Sequence, residues 1–319
     1  MNFFPALLSI MLTLFALIVC GFVCRKTKII DTPASKALSR LILAVGQPML
    51  IISALSRAEY SKENLTIAWQ VTLIGFGVHT LLALLSYLIC KTLKKDFDEA
   101  KIFEFSLVFA NAGFIGFPVL DAIFGSGIGS FMGAFYTISF HLFLWTWGLL
   151  ILGRKRDDIK LTPKKIFFNF GTVPCAIGIV FYLLKGIPGF VLPAFADKFF
   201  AYLAGLCTPI SVLVTGALLA TISLGEMIKT PKLYLHSAIK LVAFPIFFCL
   251  LAKLLGMSDT YILLVTALTG VPSAATVSML SEVYDIKPGF ASQTVGMTSV
   301  LSTATLPLVM LFANWIISL

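Results

Sequence analysis

Charged residues are scarce in this sequence, and their scarcity narrows the class of protein. Only 12% of the 319 residues are Asp, Glu, Lys or Arg, whereas 59% are hydrophobic. Soluble domains have about a quarter charged residues, so this balance excludes an ordinary soluble fold. Long polar linkers and low-complexity tracts are also missing, which leaves little room for a separate soluble domain. The composition predicts one compact all-α protein with the lipid bilayer as its solvent.

The patterns that many enzymes and metal proteins carry are missing as well. The six cysteines lie within or at the ends of apolar runs, without CxxC or Cys/His ligand spacing, so we expect neither disulfides nor a metal site. No phosphate-binding loop, GxSxG or HExxH motif occurs, so we expect no enzyme and no cofactor. The net charge of +9 comes from basic residues in short loops. That pattern is typical of membrane orientation rather than of nucleic-acid binding.

Ten apolar runs are long enough to cross a bilayer, which takes roughly 20 residues for ~30 Å of hydrocarbon. The predicted spans are residues 3–24, 36–57, 65–90, 102–124, 128–153, 166–185, 199–222, 234–256, 260–284 and 290–317. The first run follows no basic segment, so we expect a retained helix rather than a cleaved signal. An even number of spans places both termini on the same face of the membrane.

The basic residues predict which face that is. The loops after spans 1, 3, 5, 7 and 9, with the adjoining helix ends, hold eighteen Lys and Arg residues, and the opposite loops hold five. Cytoplasmic loops carry the excess of positive charge. We therefore expect a multi-pass plasma-membrane protein with both termini extracytoplasmic. Lys240 falls inside span 8, where we expect its long side chain to reach the cytoplasmic interface.

The basic loop 154–165 divides the chain into two sets of five spans, residues 1–153 and 166–319. Because five is odd, the second set must enter the membrane upside down relative to the first. Inverted repeats of this kind are common in secondary transporters. Proline at matching depths in spans 2 and 7, Pro48 and Pro209, supports the same pairing.

Spans 4 and 9 carry glycine and proline at corresponding places, which is the pattern of interrupted helices at a transporter's binding site. The residues predicted to break them are Gly116, Pro118, Gly270 and Pro272. An ordinary kink is the alternative, since both residue types are frequent in membrane helices. Because spans 4 and 9 cross the membrane in opposite directions, the second half of each begins near the membrane centre with its N-terminus. Helix N-termini carry partial positive charge and favour an anion. Asn111 and Ser273 can cap these ends or bind the ligand.

At these residues the sequence resembles the auxin efflux carrier family, which includes plant auxin exporters and bacterial malate and malonate permeases. The resemblance covers the chain end to end. It rests on NAGFIGFPVL at 111–120, GVPSA at 270–274, SEVYD at 281–285, LSTATLP at 301–307 and QPML at 47–50.

The resemblance implies an elevator-type secondary transporter of a small organic anion, a mono- or dicarboxylate such as malate or malonate. Spans 1, 2, 6 and 7 would form a scaffold, and spans 3–5 and 8–10 a moving transport domain. The substrate would bind where spans 4 and 9 cross, at Asn111, Gly113, Pro272, Ser273, Ala274 and Gln47. A homodimer is compatible with this architecture.

Three departures from the plant exporters disfavour auxin itself. Ala110 stands where they have proline, Gly75 and His79 stand where they have Asp and Lys, and the central loop is short. The short form resembles the bacterial permeases. An exporter of auxin-like aromatic acids and, from another class, an ion channel stay open as alternatives.

Three titratable residues are candidates for coupling transport to H⁺ or Na⁺. His79 and His141 lie near the middle of spans 3 and 5, and Glu282 lies near the cytoplasmic end of span 9. An ionisable group inside a membrane span is a functional candidate by default, and histidine titrates near neutral pH. The alternatives are neutral histidines hydrogen-bonded between helices and a solvated helix end for Glu282. His236, near the end of span 8, is expected at the interface.

Overall fold

The computed structural model describes residues 3–92, 97–125, 127–159 and 162–319, so residues 160 and 161 of the predicted basic loop 154–165 lie outside the described residues. Within the described part the chain is helical, and its β-type pairing is one isolated bridge. The helices are α1 Phe4–Lys26, α2 Thr32–Arg57, α3 Lys62–Thr92, α4 Phe97–Val108, α5 Ala112–Phe124, α6 Ile128–Leu152, α7 Pro163–Phe167, α8 Thr172–Leu184, α9 Ala194–Leu219, α10 Leu224–Ile228, α11 Pro231–Leu254, α12 Asp259–Gly270, α13 Ala275–Val283 and α14 Pro288–Ser318.

Seven of these helices are long and apolar enough to cross a membrane: α1, α2, α3, α6, α9, α11 and α14. They coincide with predicted spans 1, 2, 3, 5, 7, 8 and 10. Three shorter apolar helices, α5, α8 and α12, fall in predicted spans 4, 6 and 9. The architecture is therefore that of an all-α membrane protein, as the composition predicts. The count of ten crossings, their inverted repeat and the orientation of the termini stay predictions.

Two predicted spans are each divided into two helices. Span 4 consists of α4 and α5, and span 9 consists of α12 and α13. In span 9 the chain leaves the helix after Gly270 and runs extended through Val271 to Ala274. In span 4 it leaves the helix after Val108. The predicted interruption of both spans is thus visible in the backbone.

The interruption of span 4 lies earlier than the positions predicted from glycine and proline. Gly116 and Pro118 belong to α5, and the non-helical residues are 109–111. A π-helical turn precedes the proline and accommodates its missing N–H, because i→i+5 bonding widens the helix where the ring would clash. The same arrangement recurs, with π turns at Ile42–Gly46, Ala112–Gly116 and Ile239–Ala243 followed by Pro48, Pro118 and Pro245.

Glycine allows two pairs of helices to touch through their backbones. A Cβ at Gly216 of α9 would lie 2.0 Å from the carbonyl oxygen of Ile18 in α1, and one at Gly21 would lie 2.0 Å from that of Leu213. Likewise a Cβ at Gly129 of α6 would lie 2.2 Å from the carbonyl carbon of Leu120 in α5. Small residues at such contacts let membrane helices pack closely. These contacts fix α1 on α9 and α6 on α5.

The helices pack in two groups. In one, α1 packs on the second half of α9 and α2 packs on α8. In the other, α3 packs on α6, α11 on α12, and α13 on α14. The two interrupted spans also contact each other, through α13 on α4 and through an isolated bridge between Ala110 and Ser273.

Candidate functional site

The interrupted segments of spans 4 and 9 cross and pair with each other. Ala110 and Ser273 form an isolated antiparallel bridge. The N–H of Asn111 donates to the carbonyl oxygen of Pro272 at 2.7 Å, and the N–H of Ala274 donates to that of Phe109 at 2.9 Å. Backbone groups that leave a helix inside a membrane must find partners or line a cavity. At this crossing each interrupted segment supplies partners for the other.

Ser273 links the crossing to two further helices, α4 and α14, by hydrogen bonds. Its hydroxyl donates to the carbonyl oxygen of Ser106 at 3.0 Å, and its N–H donates to the hydroxyl of Thr298 at 3.2 Å. Ser106 lies in the last turn of α4, where carbonyls have no partner within the helix. Ser273 therefore holds α4 against span 9 and is not among the residues that line the cavity described below. The N-cap of α13 is Ala274, whose methyl side chain cannot accept a capping hydrogen bond.

Asn111 caps α5, as its position before the interrupted helix suggested. Its Oδ1 accepts a hydrogen bond from the N–H of Phe114 at 3.2 Å, and its carbonyl accepts from the N–H of Gly116 at 3.0 Å. The side chain is buried. Its Nδ2 has no hydrogen-bond partner among the described residues, so the amide NH₂ remains able to donate to a ligand.

A small cavity lies at the crossing. Its volume is about 20 Å³, which is enough for one water molecule or one small polar group. The lining residues come from α2, α6, the two interrupted segments and the starts of α5 and α13: Gln47, Ala110, Asn111, Ala112, Gly113, Phe114, Phe140, Ala274, Ala275 and Thr276. None of these residues is charged. The cavity thus brings together four of the six predicted substrate-binding residues: Gln47, Asn111, Gly113 and Ala274.

Thr276 is a cavity residue that sequence reasoning did not select. It lies in the first turn of α13, is buried, and its hydroxyl has no hydrogen-bond partner in the described structure. An unpaired buried hydroxyl is costly, so such groups are normally satisfied by protein, water or ligand. Thr276 follows two alanines and belongs to no recognisable motif, so the sequence alone does not indicate that it lines a cavity.

The electrostatics of the cavity come from backbone dipoles. The first N–H groups of a helix have no carbonyl partner within it, and the N-terminus carries a partial positive charge. The starts of both α5 and α13 line this cavity. The cavity thus combines two helix N-termini with the amide of Asn111 and the hydroxyl of Thr276, and its lining residues carry no side-chain charge.

The two mid-span histidines have different surroundings. His141 Nε2 lies 3.3 Å from Nε2 of Gln47, which lines the cavity. Its Nδ1 lacks a partner among the described residues, and the ring packs directly against the backbone at Gly171, just before α8. His79 instead bonds the carbonyl oxygen of Gly75 at 2.8 Å and the hydroxyl of Ser139 at 3.1 Å, between α3 and α6.

Glu282, the third coupling candidate, lies at the end of α13 and forms a salt bridge with Lys36 at 3.0 Å. Both side chains are about half exposed, so this contact joins the start of α2 to the end of span 9 at a protein surface. Gly270 and Pro272 lie at the end of α12 and in the interrupted segment, outside the cavity lining.

Two expectations about span 8 are wrong. Lys240 does not reach an interface, because it is 0% exposed and its Nζ donates to the carbonyl oxygen of Leu107 at 3.1 Å. His236 is also buried, with its Nε2 2.7 Å from the hydroxyl of Ser106. Both are held by groups of α4 more than a hundred positions away, which sequence distance conceals.

An all-helical membrane protein in which two interrupted helices meet at a buried polar cavity has the features of a membrane transporter. Comparison with known sequences supports this class. The family described as Membrane transport protein matches residues 6–310, so the chain belongs to that family, the auxin efflux carrier family that the sequence motifs indicated. The chain is also 24% identical over 299 residues to an uncharacterised transporter of Methanothermobacter thermautotrophicus, covering 93% of this chain and 95% of that relative.

Proposed function

We propose that this membrane transport protein is a secondary transporter of a small organic anion, a mono- or dicarboxylate such as malate or malonate. The observation that carries the proposal is the cavity between the starts of α5 and α13, where helix dipoles and uncommitted polar groups converge without a charged side chain. A carboxylate matches these donors, because it accepts hydrogen bonds and carries the favoured sign of charge.

The size of the cavity supports a small substrate over an aromatic one. In the conformation described, about 20 Å³ between Asn111, Phe140 and Thr276 holds one carboxylate group, so even malonate needs the walls to separate. An auxin-like aromatic acid would need the walls to separate further. It remains the alternative substrate, and a competition experiment between malonate and an aromatic acid distinguishes the two.

Transport would proceed by elevator-type alternating access between two inverted five-span repeats. The packing supports this assignment, because α1 on α9 and α2 on α8 would form the scaffold of spans 1, 2, 6 and 7. Spans 3–5 and 8–10 would move with the crossing. We place both termini outside the plasma membrane on the loop charges. A homodimer is part of the proposal, and no enzyme activity, cofactor or metal enters it.

A proton is the coupling ion that the surroundings of His141 support best, with Na⁺ as the alternative. A neutral ring can accept a hydrogen bond from Gln47 at Nε2, whereas a protonated ring has hydrogens on both nitrogens. Gln47 must then turn its amide and offer Oε1 to the ring. The turned amide directs its NH₂ group toward the anion, so protonation and anion binding favour each other. Among the described residues neither His79 nor Glu282 hydrogen-bonds to a cavity residue, although the ring of His79 packs against that of Phe140.

Counterflow in proteoliposomes tests the proposed function. A transporter loaded with unlabelled malonate should accumulate labelled malonate transiently and saturably. An ion channel would instead give a conductance far above transporter turnover, without counterflow. That second outcome would refute the proposal.

A further inference from the structure

A buried lysine contacts the last turn of α4, the helix that ends just before the proposed anion site. Lys240 belongs to the π-helical turn Ile239–Ala243 of α11 and is completely buried. Its Nζ donates one hydrogen bond among the described residues, to the carbonyl oxygen of Leu107 at 3.1 Å. An ionisable side chain inside a membrane span is energetically expensive, so Lys240 is a candidate for a function.

The partner of this ammonium group is the C-terminal end of an interrupted helix. α4 ends at Val108, so Leu107 belongs to the last turn, whose carbonyls carry the negative end of the helix dipole. The neighbouring carbonyls already have donors, since Ser106 accepts from Ser273 and Phe105 accepts from the N–H of Phe109. Lys240 supplies the positive charge that this helix end attracts.

No side-chain carboxylate among the described residues neutralises the charge of Lys240. Among the described residues no salt bridge joins Lys240 to an acidic group, and the nearest buried carboxylate on α4, Glu104, is paired with Arg154. The titratable neighbours are His79 on α3, which a charged lysine would repel, and His236 one turn earlier on α11. Within the described part of the chain, the hydrogen bond to Leu107 at the negative end of the α4 dipole is therefore the electrostatic contact that balances Lys240.

Interrupted-helix transporters place a coupling cation at this kind of position, where C-terminal helix ends and unwound carbonyls offer oxygen ligands. We infer that the ammonium of Lys240 is a resident cation that occupies the place of a coupling Na⁺ behind the crossing, so that transport proceeds without Na⁺. The inference rests on the proposed transport function and narrows its coupling ion. The positive charge remains with the crossing throughout the transport cycle.

Two variants test this inference, and the first needs no substrate. In wild-type protein the melting temperature should be the same in Na⁺ as in choline. Lys240→Ser vacates the ammonium position, so its melting temperature should fall in choline by about 2 °C or more and rise saturably with added Na⁺. A saturable Na⁺ effect in wild type, or an equal loss in both salts for the variant, would overturn the inference.

A second variant, Lys240→Met, keeps the inference testable if Lys240→Ser fails to fold. Lys240→Met has a similar shape without the charge and should fold, but it should lower carboxylate uptake about tenfold or more, as expected for a lost charged hydrogen bond. Lys253→Met, near the exposed end of the same helix, is the matched control and should leave uptake unchanged. Full uptake by Lys240→Met would overturn the inference. Absence of uptake in wild type would refute the transport proposal and leave the melting test valid.

Discussion

The sharpest prediction concerns Asn111→Asp, which changes the charge of the cavity while preserving its shape. Aspartate is as good an N-cap as asparagine, so its carboxylate can still accept the hydrogen bond from Phe114. A negative charge at the start of α5 is also favourable in the empty protein. We therefore expect Asn111→Asp to insert in the membrane and fold normally.

Anion binding, in contrast, should be lost. A ligand that accepts a hydrogen bond from the present amide would lie about 4 Å from the new carboxylate. At an effective dielectric constant of about 20, two like charges at that distance repel by about 4 kcal/mol. This corresponds to roughly a thousandfold loss of affinity. Asn111→Ser keeps a cap and loses the amide donors, so it should cost about 1.5–3 kcal/mol, or roughly ten- to a hundredfold.

The assay is the concentration dependence of carboxylate counterflow in proteoliposomes, with the amount of inserted protein measured separately. Asn64→Asp makes the same chemical change near the start of α3, away from the cavity, and should transport normally. An unchanged KM for Asn111→Asp would refute the idea that Asn111 faces the anion.

Five further substitutions test contacts seen in the structure. Thr276→Val should raise KM about tenfold with little change in melting temperature, because the hydroxyl has no partner within the described part of the protein. Ser273→Ala should lower both the melting temperature and uptake, because it removes the hydrogen bond to Ser106 at a cost of about 1–3 kcal/mol. The reverse pattern would contradict these assignments. His141→Asn should flatten the pH dependence of uptake, and an unchanged profile would remove His141 as the coupling group. Gly216→Val should destabilise the contact between α1 and α9 by about 1–3 kcal/mol, read as a lower melting temperature in detergent; an unaffected variant would contradict the close packing. Arg57 and Asp197 form a partly exposed salt bridge at 2.7 Å that joins α2 to α9. Arg57→Gln should therefore lower the melting temperature at low salt by the equivalent of about 1 kcal/mol or less, and high salt should shrink the difference. A difference that does not depend on salt would contradict this account.

The membrane helices were predictable because lipid imposes simple rules. A helix must be about 20 apolar residues long and satisfy its own backbone, so composition and run length identify the seven long helices. The interrupted spans were also predictable, since glycine and proline act locally. Their exact position in span 4 was not, because a π turn ahead of Pro118 keeps that proline inside the helix.

The candidate site was only partly predictable. The role of Asn111 is indicated by the sequence, because it precedes an interrupted helix and asparagine is a good N-cap. Long-range contacts carry no comparable signal. Gln47 lies 94 positions from His141, and Leu107 lies 133 positions from Lys240, yet each pair is joined by side-chain hydrogen bonding. A single sequence contains periodicity and local preference, but not the tertiary contacts that determine which polar groups remain available.

The most direct test of the anion site is a thermal-shift screen of small mono- and dicarboxylates on purified wild-type and Asn111→Asp protein. We predict that at least one carboxylate raises the wild-type melting temperature saturably and has no effect on the variant. Equal stabilisation of both proteins, or none of either by any carboxylate in the panel, would contradict an anion held between the starts of α5 and α13.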